Sequence, residues 1–263
     1  MPECDSLVAG AGLIGLGIFL LFKSSRGNYQ ARLVLSLPVR HCGEVQEGFI
    51  KIAGRIVSTT NVVSPLLRVP CLVSQVEVAA YLGSGDDAGW KTVHRGTESV
   101  PFSVEDETGH VWVDPSNAEF FLSTDVEYST EKRWKPKPRQ LVRFGETKLT
   151  AEMLEQRVRQ FYEQQSATEA NEKKLRFTEK NLMVGDTVTV LGPAYAELPG
   201  RSGAGETRIH RVHPDDSFVI GDGTPAEVAA RMRRQVGWMR AAGFGCMALG
   251  AAMAVSCFFE RGG

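Results

Sequence analysis

Two apolar runs, one at each end, decide what this chain can fold into. The first, SLVAGAGLIGLGIFLLF, covers Ser6 to Phe22, and the last covers nineteen uncharged residues from Ala241 to Phe259. As helices rising about 1.5 Å per residue they reach roughly 26 and 28 Å, close to the roughly 30 Å of a bilayer's hydrocarbon core. Gly10, Gly12, Gly15 and Gly17 would weaken a soluble helix, whereas close-packed membrane helices use small residues at their contacts. A cleaved signal peptide fits poorly, because Glu3 and Asp5 stand where Lys or Arg belongs and no A-x-A site follows. Gly10, Gly12 and Gly15 also spell G-x-G-x-x-G, the turn that seats a dinucleotide pyrophosphate. That alternative is weak, since only Leu7 to Ala9 precede it as a strand and no βαβ alternation follows.

The second run is prepared from sequence as a helix. Thr224 as N-cap, Pro225 at the first helical position and Glu227 three residues after the cap form a capping box. Arg231, Arg233, Arg234 and Arg240 follow, with Trp238 at the depth amphipathic rings favour. Ala242, Cys246, Gly250 and Ala254 make a small-residue stripe suited to the glycine face of the first span or to a second copy of the chain. Lys23, Arg26 and Arg32 follow the first span, while Arg261 alone follows the second. Both flanks place the middle of the chain on the cytoplasmic side, a bacterial inner membrane being the favoured setting and an organelle outer membrane the alternative.

The expected division is therefore an anchor at 1–26, a β-rich domain at 27–222, and a juxtamembrane and transmembrane helix at 223–263. Lys and Arg total 30 against 31 for Asp and Glu, so no basic excess marks a nucleic-acid partner. Cys4, Cys42, Cys71, Cys246 and Cys257 lie too far apart for a zinc knuckle or a disulfide framework.

Between the spans the apolar signal has period two. Residues 49–57, 71–82, 110–113, 187–191, 207–212 and 218–220 read as short strands separated by Gly, Pro and Asp, which predicts a mainly β fold, a small OB-like barrel or sandwich. One inserted helix is predicted from Thr150 to about Gln164, with Leu154, Val158 and Phe161 on its apolar face and Glu155 paired to Arg159 outside. The charged stretches STEKRWKPKPRQ and SATEANEKK read as solvated excursions.

PFSVEDETGHVWVDP reads as a hairpin turning at Glu107 to Gly109, with Val111 and Val113 on one face and Trp112 on the other. Its acids, Glu105, Asp106, Glu107 and Asp114, are expected to be solvated, since nothing in sequence buries them to shift a pKa. His210, His213, Asp215 and Asp216 in HRVHPDD could ligate a metal, but His213 falls in the turn after the strand and no H-E-x-x-H helix is present. No G-x-S-x-G elbow or P-loop occurs, and Ser64 has no identifiable base.

Read in order, GRIV at 54, SPLLRVPC at 64–71, GWKTV at 89, the hairpin at 101 and RFTEKNLMVGDTVTVLGPA at 176 resemble the GIDE, or BAM ("beside a membrane"), domain of the mitochondrial-anchored protein ligase and its chloroplast and prokaryotic relatives. The residues carrying the resemblance are Ser64, Pro65, Cys71, Trp90, Asp106, Gly109, Gly185, Asp186 and Gly192, all of which read as scaffold. The resemblance implies ubiquitin or SUMO ligase activity for the eukaryotic relatives, carried there by a zinc-binding RING after the second span, and a middle domain in the intermembrane space. A RING needs eight Cys or His ligands, and no Cys or His follows Cys257, so no intrinsic ligase activity is expected. The resulting expectation is a two-span membrane protein that presents a β-rich interaction module, with the bilayer and an unidentified protein as partners and no cofactor, catalytic residue or bound metal.

Overall fold

The alternating stretches become strands in the computed structural model, which describes residues 3–82, 89–129, 151–166, 174–196 and 207–261. In chain order the strands are β1 (Gly48–Val57), β2 (Val62–Val63), β3 (Pro70–Cys71), β4 (Val73–Leu82), β5 (Gly89–Ser99), β6 (Phe102–Asp106), β7 (Gly109–Val113), β8 (Glu119–Phe121), β9 (Val126–Ser129), β10 (Leu175–Leu182), β11 (Thr187–Ala196), β12 (Thr207–Ile209) and β13 (Val219–Asp222). The helices are α1 (Glu3–Ser36), α2 (Ala151–Ser166) and α3 (Pro225–Arg261). Contacts divide the chain into a helix pair, 1–38 with 224–263, and a β-rich unit, 39–223.

In the β-rich unit, β1, β6, β7, β12 and β11 are hydrogen-bonded in that order and β11 returns to β1, closing a five-stranded barrel. Only β7 and β12 run parallel among these pairs, and they are the third and fifth barrel strands in sequence. That connectivity is the OB-type Greek key, so the barrel, not the sandwich, is the form adopted. Inward residues alternate along each strand as a pleat requires: Ile52 and Ile56 on β1, Phe102 and Val104 on β6, Val111 and Val113 on β7, all in one core with Phe218 and Ile220. Trp112 points away from that core, half-buried, as the hairpin pattern predicts. Gly192 in β11 makes room for Phe218: a Cβ there would lie 2.6 Å from the ring.

Two excursions from the barrel build a second sheet. The β1–β6 connection carries β4 and β5, the β7–β11 connection carries β9 and β10, and the four pair in the order β5-β4-β10-β9. Val76, Val78, Leu175 and Phe177 line one face and pack against Leu154, Val158 and Tyr162 of α2. The predicted helix is thus present, with Arg159 Nη2 donating to Glu155 at 2.7 Å. Alternation does not mark β5, β8 or β9, and the strand expected over 207–212 stops at Ile209. The charged stretches at 129–140 and 166–174 fall largely outside the described residues.

The helix pair follows a different rule. Gly10, Gly12 and Gly15 lie within an unbroken helix that starts at Glu3 and continues to Ser36, so the strand-turn-helix of a dinucleotide site is absent there. A seven-residue repeat runs through the buried positions, Gly10, Gly17, Ser24 and Ala31 on α1 and Ala229, Val236, Gly243 and Gly250 on α3, with Gln30, Val34, Val228 and Met232 buried beside it. Glycine is required at the tightest points: a Cβ on Gly17 would lie 2.8 Å from the carbonyl oxygen of Gly243, and one on Gly250 2.7 Å from that of Gly10. Of the predicted stripe, Gly250 lies on this buried seam, while Ala242, Cys246 and Ala254 flank it half-buried. The capping box forms, with Glu227 N–H donating to Thr224 Oγ1 at 3.4 Å and Thr224 N–H to Glu227 Oε2 at 2.8 Å. Both helices are long and apolar enough to cross a membrane, and only 17% and 11% of their most apolar windows are buried, unlike core helices of a soluble globule. The chain is a membrane protein on that ground.

Candidate functional site

Of the residues that carry the family resemblance, Ser64, Pro65, Asp106, Gly109, Gly185 and Asp186 sit at turns held by polar groups, while Cys71, Trp90 and Gly192 lie in strands. Ser64 and Pro65 open a loop between β2 and β3 in which Ser64 N–H donates to Val69 O and Arg68 N–H to Ser64 O. The loop folds over Glu179 of β10, a fully buried carboxylate that accepts from Leu66 N–H at 2.7 Å, Leu67 N–H at 3.4 Å and Asn181 Nδ2 at 2.9 Å. Arg157 of α2 closes the loop from outside, donating to Leu66 O and Leu67 O at 2.7 and 3.0 Å. Asp125 accepts from Asn181 N–H at 2.6 Å, so two buried acids share the node. Burial raises the Glu179 carboxyl above its ordinary range, against the lowering effect of its hydrogen bonds. Cys71 lies beside them, fully buried, its thiol directed at Val62 O, and burial together with the Glu179 and Asp125 charges pushes it up to about 12.

A second node ties the barrel's hairpin to the segment before β1. Asp106 accepts from Thr108 N–H and Thr108 Oγ1 through one oxygen, at 2.8 and 2.6 Å, and from Cys42 N–H through the other, at 2.8 Å. Thr108 Oγ1 in turn accepts from Gly43 N–H at 2.9 Å. Partial burial works to raise the Asp106 pKa, but these hydrogen bonds outweigh it and hold the carboxyl well below the ordinary range. The expectation that this acid is merely solvated is therefore wrong for Asp106. Gly109, at φ +155°, makes the turn that brings Asp106 and Thr108 to that segment. Burial also pushes the Cys42 thiol up to about 12, so near neutral pH neither Cys42 nor Cys71 supplies the thiolate a nucleophile needs.

Gly185 and Asp186 form the turn from β10 into β11. Gly185 N–H donates to Ile56 O, Ile56 N–H to Asp186 O, and Met183 N–H to the Asp186 carboxylate at 2.8 Å, with Gly185 at φ +86°. In HRVHPDD the side chains serve the loop itself. Asp216 accepts from His213 N–H at 3.1 Å, Arg211 donates to the carbonyls of His213, Pro214 and Asn117, and His210 packs on Tyr195 with ring centroids 5.0 Å apart. Among the described residues no three His, Cys, Asp or Glu side chains converge as a metal site.

Trp90, half-buried, differs from the other motif residues in lying under an exposed cation. It lies at the start of β5, opposite Tyr81 of β4, with the two rings edge-on at 5.6 Å. Arg176 of β10 reaches across β4 and stacks over Trp90, its Cζ 3.9 Å from the ring centroid, and Lys174 Nζ lies 5.4 Å from the Tyr81 centroid. This corner was not foreseen, nor were Glu179, Asn181 and Arg157. Glu179 alone had a signal in sequence: it shares the phase of Leu175 and Phe177, four and two residues earlier, which turn inward.

No curated protein and no solved structure matches the chain. One family model does, that of GIDE, described as E3 ubiquitin ligase, over residues 81–255. The match runs from the end of β4 through the inserted sheet and the barrel's closing strands into the second long helix, well over half of the chain, and the protein therefore belongs to the GIDE family.

Proposed function

We propose that the chain is a two-span membrane protein whose β-rich unit is an interaction module held at the membrane surface. One observation carries the reading: Glu179 and Asp106 hold turns, while on the inserted sheet exposed Arg176 stands over Trp90 with no ion pair among the described residues. Cys42 and Cys71 are buried with their thiols pushed up to about 12, and Glu179 and Asp106 each accept three hydrogen bonds, which favours recognition over catalysis at these nodes. The cationic flanks, Lys23, Arg26 and Arg32 after one span and Arg231, Arg233, Arg234 and Arg240 before the other, favour a cytoplasmic β-rich unit in a bacterial inner membrane.

Carbonate extraction and protease protection test this. The chain is expected to stay with the membrane pellet, and protease is expected to reach residues 39–223 in inverted vesicles but not in intact spheroplasts. Release into the soluble fraction removes the reading, and the opposite protection pattern reverses the orientation.

The second reading takes the family's description literally and makes the protein a ubiquitin ligase. A RING holds zinc through clustered Cys and His, and the described residues present no such cluster. Incubation with ubiquitin, activating and conjugating enzymes is expected to yield no chains, and transfer above the enzyme-only background would install this second reading.

A further inference from the structure

The inserted sheet has two very unequal edges. β9 offers four residues and β5 eleven, and among the described residues β5 pairs with β4 alone. Long edges of unpaired N–H and C=O groups accept an added strand unless they are covered, shortened or charged. Here α2 covers one face of the sheet, where Phe161 meets His94 ring to ring, and among the described residues no strand pairs with the outer side of β5. A bulge opposite Val78 and Ala79 divides β5, and its first straight stretch, Gly89 to Thr92, lies beside the Trp90 corner.

Two cations stand by this stretch, Arg176 on the Trp90 face of the sheet and Lys91 on the face that α2 covers. Arg176 lies stacked on Trp90, and neither it nor exposed Lys91 has a carboxylate within ion-pair distance among the described residues. The nearby Glu77 is already committed, accepting from Arg95 at 2.8 Å and Thr92 at 3.1 Å. A guanidinium held over an indole by its carbon still has N–H donors to offer a carboxylate.

We propose that β5 recruits an extended acidic peptide segment of a partner protein, which adds as a fifth strand along Gly89 to Thr92 and sets the carboxylates of one of its faces against Arg176, Lys91 lying on the opposite face of the sheet. Main-chain pairing supplies register, and Arg176 supplies selection for acidic side chains. The proposal rests on the reading of the β-rich unit as an interaction module and names the class of partner.

The test uses the full chain in nanodiscs of neutral lipid, with a fluorescein-labelled peptide of alternating glutamate and valine as probe. Saturable anisotropy is expected, together with slowed amide exchange confined to β5. Arg176→Glu is expected to weaken binding about tenfold or more, as loss of a close charge pair does. A peptide N-methylated at alternate residues should not bind, because it cannot complete the strand pairing. Equal binding by a lysine-valine peptide or by the N-methylated one overturns the proposal, as does unchanged affinity in Arg176→Glu with its thermal midpoint retained. Protection of β5 by anionic lipid in the disc, with no peptide added, assigns the corner to the bilayer and also overturns it. Failure of binding with membrane topology intact removes this inference alone, whereas a soluble chain removes the functional reading beneath it.

Discussion

The barrel and the inserted sheet each fasten a loop with one carboxylate, and they do it in opposite electrostatic regimes. In the barrel, Asp106 sits near water, accepts three hydrogen bonds and is held ionised. In the sheet, Glu179 is fully buried, and removal from water pushes it toward its protonated form although it too accepts three. The number of donors is therefore not what decides the state of a carboxylate; the water left around it is. The same contrast governs cost, since a donor orphaned beside Asp106 can turn to solvent and one orphaned beside Glu179 cannot.

The sharpest way to break the comparison is to remove each acid. Glu179→Ala leaves the Leu66, Leu67 and Asn181 donors buried without an acceptor and is expected to cost about 3 kcal/mol or more, read by urea denaturation of the detergent-solubilised chain. Asp106→Asn keeps an accepting oxygen in a partly wet site and is expected to cost about 1 kcal/mol. Equal losses would show that the two nodes are alike after all.

The pH dependence sharpens it further. Glu179 has a raised folded pKa, so its contribution is complete below the ordinary 4.5 and is lost as pH climbs toward the folded value. Asp106 has a lowered one, so its contribution is complete above the ordinary 3.8 and is lost as pH falls. Wild type should thus lose stability relative to Glu179→Gln, which mimics the neutral acid, on going up in pH, and wild type and Asp106→Asn should converge on going down, as followed by thermal midpoints from acid to neutral pH. The smallest effect belongs to the Trp90 corner: Arg176→Ala is expected to change stability by about 0.5 kcal/mol or less, since a solvent-exposed cation over a ring contributes little. A larger loss would make the corner part of the scaffold.

What could be read beforehand was local. The capping box at Thr224 and the Glu155–Arg159 pair need only residues three or four apart, and both form. The hairpin at Asp106 to Gly109 is contiguous as well. The barrel's closure depends on β7 meeting β12 in parallel, a pairing between distant segments that no alternation encodes. The Trp90 corner requires the registers of β5, β4 and β10 together, because Arg176 reaches its ring across an intervening strand. Glu179 was legible in phase but not in role, for its partners Leu66 and Leu67 come from a loop far away in sequence.

That β1 lies against β11, with Gly48 opposite Ala194, has a consequence for how the protein is made. More than half of the chain separates the two partners, so at ordinary ribosomal speeds the first barrel strand waits on the order of ten seconds for its mate. Throughout that wait the β4–β5 hairpin also exposes its inner edge, since β10 is translated only shortly before β11. A nascent chain in this condition is a client for holding chaperones, and slowing its elongation should increase aggregation well before any change in the finished fold could be detected.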